Sequence, residues 1–243
     1  MSIEAISFDF WNTLFTEQPG GFLLYKARRR SLLKEALCAY RDVTVADLEQ
    51  ACHVEAVEHQ RVWREEHRTC ATTERVCSIL TQLDVCLPDA ALADLVARFE
   101  EGIFEHPPVP IEGAVDVLPQ LSRRYRLGII SDVGFSPGRV LKQVLASHSL
   151  LDLFDSLVFS DEAGRSKPHT EVFERTCRSL SAEPAEIVHI GDLEHTDVVG
   201  AKRAGYRAIR FTGVTPMEED STTLADFVTD DLRKLPRLVE ALA

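Results

Sequence analysis

Short apolar runs rich in β-branched residues, at 3–10, 126–131, 156–160, 187–191 and 207–211, alternate with amphipathic segments of helical length. Those segments lie at 113–124, 136–147, 170–180 and 196–204. Near-continuous apolar strands bury both faces only in a parallel sheet covered on either side. The pattern therefore predicts an α/β, Rossmann-like parallel sheet with helices on both faces. Between the first run and the rest lies a stretch, Gly21 to Glu105, with helical periodicity: Phe22, Leu23, Leu24, Leu32, Leu33 and Leu37 recur near the three-to-four spacing. Thr44 with Asp47 three positions on marks one helix start, and 73–80 and 88–99 suggest two further helices. The stretch reads as an all-helical insertion. Residues 1–15 and 108–243 are expected to form the core domain and 16–107 the inserted one. Pro107-Pro108-Val109-Pro110 cannot continue a helix and is expected to act as a stiff linker.

Charge narrows the partners. Lys plus Arg total 27 against 39 Asp plus Glu, a net charge of −12. Nucleic acids and anionic membranes demand clustered basic charge, so neither is expected as a partner. A small anionic substrate remains compatible, because one pocket can be locally positive on an acidic protein. No apolar run approaches the ~18 residues that span a bilayer. Met1-Ser2-Ile3-Glu4 lacks the basic and apolar regions of a secretion signal, which predicts a cytoplasmic protein. The six cysteines include no CxxC pair and read as reduced, small apolar residues. Cys70 and Cys77 with His53, His59 and His67 fit no zinc template. Nothing in the chain points to an oligomeric state.

In an open parallel sheet, ligands bind beyond the carboxyl ends of the strands. The first run continues Asp9-Phe10-Trp11-Asn12-Thr13-Leu14, and the second ends in Ser131-Asp132. A later loop reads Gly164-Arg165-Ser166-Lys167-Pro168, and the fourth run closes on Gly191-Asp192, with Asp197 five residues beyond. An aspartate closing a buried strand is costly unless it is paired or metal-bound. Two such strands, with a lysine and a hydroxyl, would make a compact site for a phosphate and a divalent cation. Plainer readings exist for the same residues. Asp192 and Asp197 could cap the helix beginning near Thr196. Lys167 could be a solvated loop lysine, and Ser131 could satisfy a strand-end amide. Arg28-Arg29-Arg30 reads as a solvated helix face, or as an anion clamp over the site. Glu194 and His195 read as exposed loop residues.

The four segments, in this order, resemble those of the haloacid dehalogenase superfamily of hydrolases, and the resemblance covers essentially the whole chain. Its most specific piece is Gly191-Asp192 with Asp197, followed by Gly200-Ala201 and Ala204-Gly205. The helical insertion falls where one subfamily carries a cap domain after the first strand. The resemblance implies that Asp9 is the nucleophile, forming an acyl-enzyme intermediate. It implies that Lys167 neutralises the nucleophile and the transferring group, and that Ser131 binds a phosphoryl oxygen. Trp11, Asn12 and Asp132 would then contact the substrate. Asp9, Asp192 and the Trp11 carbonyl would hold Mg²⁺, with Asp197 orienting its water shell and Gly191 allowing close approach.

One position departs from the family's phosphatases, which carry a second aspartate two residues after the nucleophile. Here that position is Trp11, and the usual glycine after it is Asn12. An indole N–H only donates, so Trp11 cannot serve as a general acid or base. Losing such a group costs about 10²–10⁴ in rate. Three readings stay open: an Mg²⁺-dependent phosphoryl hydrolase or transferase acting on a small phosphorylated metabolite, a 2-haloacid dehalogenase, and a non-catalytic binder of a phosphorylated ligand or a protein. Halide leaves without a proton, and dehalogenases carry an aromatic residue here. They use no Mg²⁺, however, and lack the equivalent of Gly191-Asp192.

Overall fold

In the computed structural model, which describes residues 2–218 and 222–242, the strand–helix alternation resolves into one parallel sheet. Met1 lies outside the described residues. With strands numbered in chain order, the sheet contains β1 (Ala5–Phe8), β4 (Arg126–Ser131), β5 (Ser156–Phe159), β6 (Ile187–Gly191), β7 (Arg207–Phe211) and β8 (Phe227–Thr229). Their spatial order is β5-β4-β1-β6-β7-β8. β1 is central, and Ser7 lies opposite both Gly128 and His189. Every residue of β1 and β6 is buried, as strands covered on both faces require.

Alternation along β1 sends its side chains to two apolar layers. Ile6 and Phe8 pack with α5 (Ala114–Leu121), α6 (Gly138–Ser147) and α10 (Leu235–Glu240). Ala5 packs with α8 (Thr170–Leu180) and α9 (Val199–Arg203). A single turn, α7 (Ser160–Ala163), follows β5. The sheet's polar residues emerge at one edge, since Asp9 follows β1, Ser131 ends β4 and Asp192 follows β6.

Four elements differ from the sequence expectation. Residues 196–204 are not one α-helix: a wide π turn, Glu194–Val198, precedes α9. The Asp197 carboxylate accepts the Leu193 amide at 3.0 Å, which turns its other oxygen inward. β8 and α10 had no counterpart in the periodicity, because a strand of three residues leaves too short a pattern. The Pro107–Pro110 segment is not only a linker. Val109 and Pro110, as β3 (Val109–Pro110), pair antiparallel with β2 (Phe15–Thr16). A proline is tolerated there because this two-stranded ribbon is all edge.

The insertion folds as helices: α1 (Gly21–Leu37), α2 (Val45–Arg61), α3 (Thr72–Gln82) and α4 (Asp89–Glu101). Thr44 caps α2, accepting the Asp47 amide while Asp47 accepts the Thr44 amide. These helices enclose their own apolar cluster, including Leu33, Leu37, Leu48, Val76, Ile79, Leu95 and Phe99. Phe135, from the loop after β4, is buried in that cluster and so roots the sheet's active-edge loop in the cap. Arg75 stacks on the Phe135 ring at 3.5 Å and pairs with buried Glu55 at 2.5 Å. Trp63 Nε1 donates to Asp132 Oδ2 at 2.8 Å, and the Ser166 amide donates to the His67 carbonyl at 2.8 Å. The cap thus lies closed on the sheet edge. No helix among the described residues is long and apolar enough to cross a membrane.

Phe135→Ala removes the side chain that the loop after β4 buries in the cap's apolar cluster. Truncating a buried phenylalanine costs about 3–5 kcal/mol. Thermal denaturation is expected to show that loss, and limited proteolysis is expected to cut faster at residues 16–20 and 106–110. Unchanged cleavage at those connections would show that Phe135 does not hold the cap.

Candidate active site

Asp9 leaves β1 with its backbone amide donating to the Ile190 carbonyl at 2.8 Å, which fixes it between β1 and β6. Lys167 reaches in from the loop before α8. Its Nζ donates to Asp9 Oδ1 and to Asp197 Oδ1, each at 2.6 Å. All three residues are buried, Lys167 to 2% exposure and Asp197 to 1%. His189, midway along β6, continues the chain: Nε2 lies 3.2 Å from Asp197 Oδ1 and Nδ1 lies 2.9 Å from Ser7 Oγ. Burial pushes the His189 imidazole down, so it is neutral, with Nε2–H assigned as donor to Asp197 and Nδ1 as acceptor from Ser7.

Charge in this cluster does not balance. Lys167 is one cation among Asp9, Asp132, Asp192 and Asp197. Burial opposes the lysine's charge, but Asp197, Asp9 and Asp132 outweigh it and raise its pKa. Burial also works against the charge of Asp197, but Lys167 and the His189 hydrogen bond hold its carboxyl well below the usual range. Asp9 goes the other way. Burial raises it, Lys167 offsets only part of that, and Asp197 and Asp192 add repulsion. Burial pushes Asp192 up to about 6, with the Asp197 charge adding to it. Buried carboxylates in excess of cations are the electrostatic demand that a divalent ion answers.

The sequence-predicted residues fall in three groups. Asp9, Ser131, Lys167, Asp192 and Asp197 converge at the carboxyl edge of the sheet. Ser131 is buried, and among the described residues its Oγ makes only a long bond, 3.2 Å, to the Asp132 carbonyl. Asp192 Oδ2 accepts from Thr215 at 2.6 Å. Both Asp132 oxygens are taken by protein donors, Oδ1 by the Lys167 amide at 2.9 Å and Oδ2 by Trp63. Asn12 turns away from the site: it adopts φ 56°, and its Oδ1 accepts from Thr16 at 3.2 Å. That left-handed turn is what a glycine would otherwise supply, and an asparagine tolerates it. Trp11 packs edge-on to Phe10 at 5.2 Å and lines the cavity beneath the cap. Glu194 is not a free loop residue, since it accepts from Arg210 at 3.2 Å and from the Leu224 amide at 2.9 Å.

Ser7, His189, Trp63 and Thr215 were missed by sequence reasoning. His189 carried the one available signal, a titratable residue two positions before Gly191 and so on the same strand face. Gly191 has a steric cause that the sequence does not show. A Cβ there would lie 2.3 Å from Asp197 Cγ, so the missing side chain makes room for that carboxylate.

Among the described residues, no group of three or more His, Cys, Asp or Glu side chains is arranged to hold a metal, the Cys70–Cys77 neighbourhood included. A hard cation that keeps several waters needs fewer. Mg²⁺ binds through one or two carboxylates plus other oxygens, and Asp9 and Asp192 meet that requirement. Among the described residues, Asp9 Oδ2 has no hydrogen-bond partner and remains available.

Gly191→Ala is expected to displace Asp197 from Lys167 and to destabilise the fold by about 1–3 kcal/mol, the usual cost of overpacking. A double-mutant cycle checks the cause. In an Asp197→Ala background the added methyl should cost far less, and an equal cost in both backgrounds would contradict the steric assignment.

Residues 3–205 match the haloacid dehalogenase-like hydrolase family. Among curated relatives, a glyceraldehyde 3-phosphate phosphatase of Pyrococcus furiosus is 28% identical over 137 residues, 54% of each chain. A pyrimidine 5'-nucleotidase of Escherichia coli is 34% identical over 98 residues, 40% of this chain and 42% of that one. The chain thus spans about half the length of the curated relatives it matches. Among solved structures, a 2-haloacid dehalogenase of Pseudomonas syringae superposes with TM-score 0.76 at 24% identity, covering 99% of this chain and 100% of that one. A phosphatase of Thermococcus onnurineus superposes with TM-score 0.68 at 22% identity, covering 98% of each. At such identities the superpositions establish the fold. Sequence match and architecture agree: the chain belongs to the haloacid dehalogenase-like hydrolases.

Proposed function

We propose that this hydrolase is an Mg²⁺-dependent phosphohydrolase of small phosphorylated metabolites, working through an aspartyl-phosphate at Asp9. The observation that carries the reading is the buried Asp9–Lys167–Asp197 cluster, with Asp192 beside it and a surplus of negative charge. Asp9 Oδ2, which has no protein partner among the described residues, attacks phosphorus, and the bond to the leaving oxygen breaks. Lys167 Nζ and Ser131 Oγ stabilise the phosphoryl oxygens as charge develops. Asp197 and His189 position Lys167 rather than touch the substrate. Asp132, with both oxygens committed, holds the lysine's backbone and the cap. Mg²⁺, held by Asp9, Asp192 and the Trp11 carbonyl, would neutralise the surplus charge and polarise the phosphoryl group.

Trp11 leaves this chemistry without a general acid. The reading therefore favours leaving groups that depart without a proton, such as the carboxylate of an acyl phosphate. Relatives named for glyceraldehyde 3-phosphate, pyrimidine nucleotides and N-acylneuraminate 9-phosphate support a small phosphorylated substrate. A neighbour of known structure, 18% identical and 98% covered, is described as bound to magnesium. Trp11 also favours a second reading, 2-haloacid dehalogenation. Against it stands Asp192, a further carboxylate that a metal-free site would have to carry beside Asp9 and Asp197.

Two outcomes test this. Mg²⁺ binds only the folded state, so millimolar Mg²⁺ should raise the melting temperature of the wild type. Asp192→Asn should abolish that rise. Without Mg²⁺ it should be the more stable protein, by about 2–4 °C for each kcal/mol of repulsion relieved. A wild type indifferent to millimolar Mg²⁺ would favour the dehalogenase. Separately, Trp11→Asp restores an acid and should raise phosphate-ester turnover towards the ~10²–10⁴ that such a group supplies. Trp11→Ala is the control for loss of the indole. Equal inactivity of both folded variants would show that the acid is not the missing element.

A further inference from the structure

A cavity of about 260 Å³ lies under the cap, floored by Trp11 and walled by Tyr25, Phe99 and Phe135. Three arginines line it, and two are already neutralised. Arg28 pairs with Glu105 and Arg98 with Glu35, each at 2.7 Å. Arg29 is different: it is half-buried, and among the described residues no carboxylate pairs with it and no acceptor takes a hydrogen bond from it. Its guanidinium lies 4.3 Å from the centre of the Phe135 ring, and Glu17 and Glu55 attract it from beyond ion-pair distance. Arg75 also lies over that ring, but Arg75 is satisfied by Glu55.

An unpaired guanidinium in a partly desolvated cavity is costly, because its N–H donors lose water without gaining acceptors. Placed over Phe135, the guanidinium keeps its donor fork free, which suits bidentate capture of a carboxylate or a phosphate. Burial, with Arg75 nearby, pulls Arg29 down to about 10, so it stays charged at neutral pH. Glu17 is the cavity's acidic residue. It lies beyond ion-pair distance of Arg29, and burial pushes its carboxyl up. The cavity and the reaction centre share Trp11, two residues from Asp9, and the loop after β4, which carries Ser131 at its start and Phe135 within it.

We infer that Arg29 is a specificity-determining residue that takes a second oxyanion, a carboxylate or a second phosphate, on the substrate whose first phosphate sits at Asp9. The short carbon chain between the two anions lies against Trp11 and Phe135. The substrate class is then a small doubly anionic metabolite, and the cavity is too small for a polymer. This rests on the phosphohydrolase reading for the first anion, while the second anion has its own observation.

Calorimetric titration with non-hydrolysable phosphonates tests it without turnover. In millimolar Mg²⁺, 4-phosphonobutanoate and butane-1,4-diylbisphosphonate should each bind the wild type at least about tenfold more tightly than butylphosphonate, as one charge-assisted bidentate contact allows. Comparing the first two distinguishes a carboxylate from a second phosphate. Arg29→Met should erase the preference and leave butylphosphonate affinity unchanged, while Arg29→Lys should keep part of it. Thermal denaturation of both variants checks that they are folded. A wild type without preference, or a preference that folded Arg29→Met retains, would overturn the assignment. If butylphosphonate fails to bind while 4-phosphonobutanoate binds in an Arg29-dependent way, the phosphoryl site falls and the anion site stands.

Discussion

One ammonium held between two buried carboxylates organises this molecule. Lys167 Nζ sits 2.6 Å from both Asp9 and Asp197, where water cannot screen any of the three charges. Breaking such a cluster by removing one partner costs about 3–5 kcal/mol, because an unpaired charge is left behind. That penalty explains features that look unrelated in the chain. Gly191 has no side chain because Asp197 occupies the space. The π turn after β6 exists because Asp197 must reach both the Leu193 amide and the lysine. His189 and Ser7, paired across β1 and β6, hold the remaining side of that carboxylate.

The same lysine links the sheet to the cap. Its backbone amide is held by Asp132, whose other oxygen is held by Trp63 of the cap. Phe135, three residues beyond Asp132, is buried among cap side chains and carries two guanidiniums on its ring. Cap placement and lysine placement are therefore one geometric problem. Of two consecutive residues, Ser131 ends β4 at the candidate site, and Asp132 ties the Lys167 loop to the cap.

Much of this was legible in the sequence, for physical reasons that can be stated. The strands at 126–131, 187–191 and 207–211 and the helix at 170–180 match their observed bounds, because buried parallel strands are largely apolar and α8 is strongly amphipathic. The convergence of Asp9, Ser131, Lys167, Asp192 and Asp197 followed from strand ends facing one edge. The partners within that cluster were not legible. Sequence places residues on elements, but it does not say which oxygen a lysine reaches, so the Lys167–Asp197 bond is not among its expectations. The resemblance makes Asn12 a substrate contact, whereas its left-handed φ makes it a turn residue. Trp63 was hidden in a helical segment with no local signal, and β8 in three residues between acidic neighbours.

The central claim is that Asp9, activated by this charge cluster, is a phosphoryl acceptor even without a general acid. Its most direct measurement is acid-quenched peptide mass spectrometry after incubation with Mg²⁺ and acetyl phosphate, whose leaving group needs no proton. The account predicts one added phosphoryl group on the peptide bearing Asp9, absent without Mg²⁺ and absent from Asp9→Asn. A folded wild type that acquires no adduct, or an equal adduct on the Asp9→Asn protein, would contradict it.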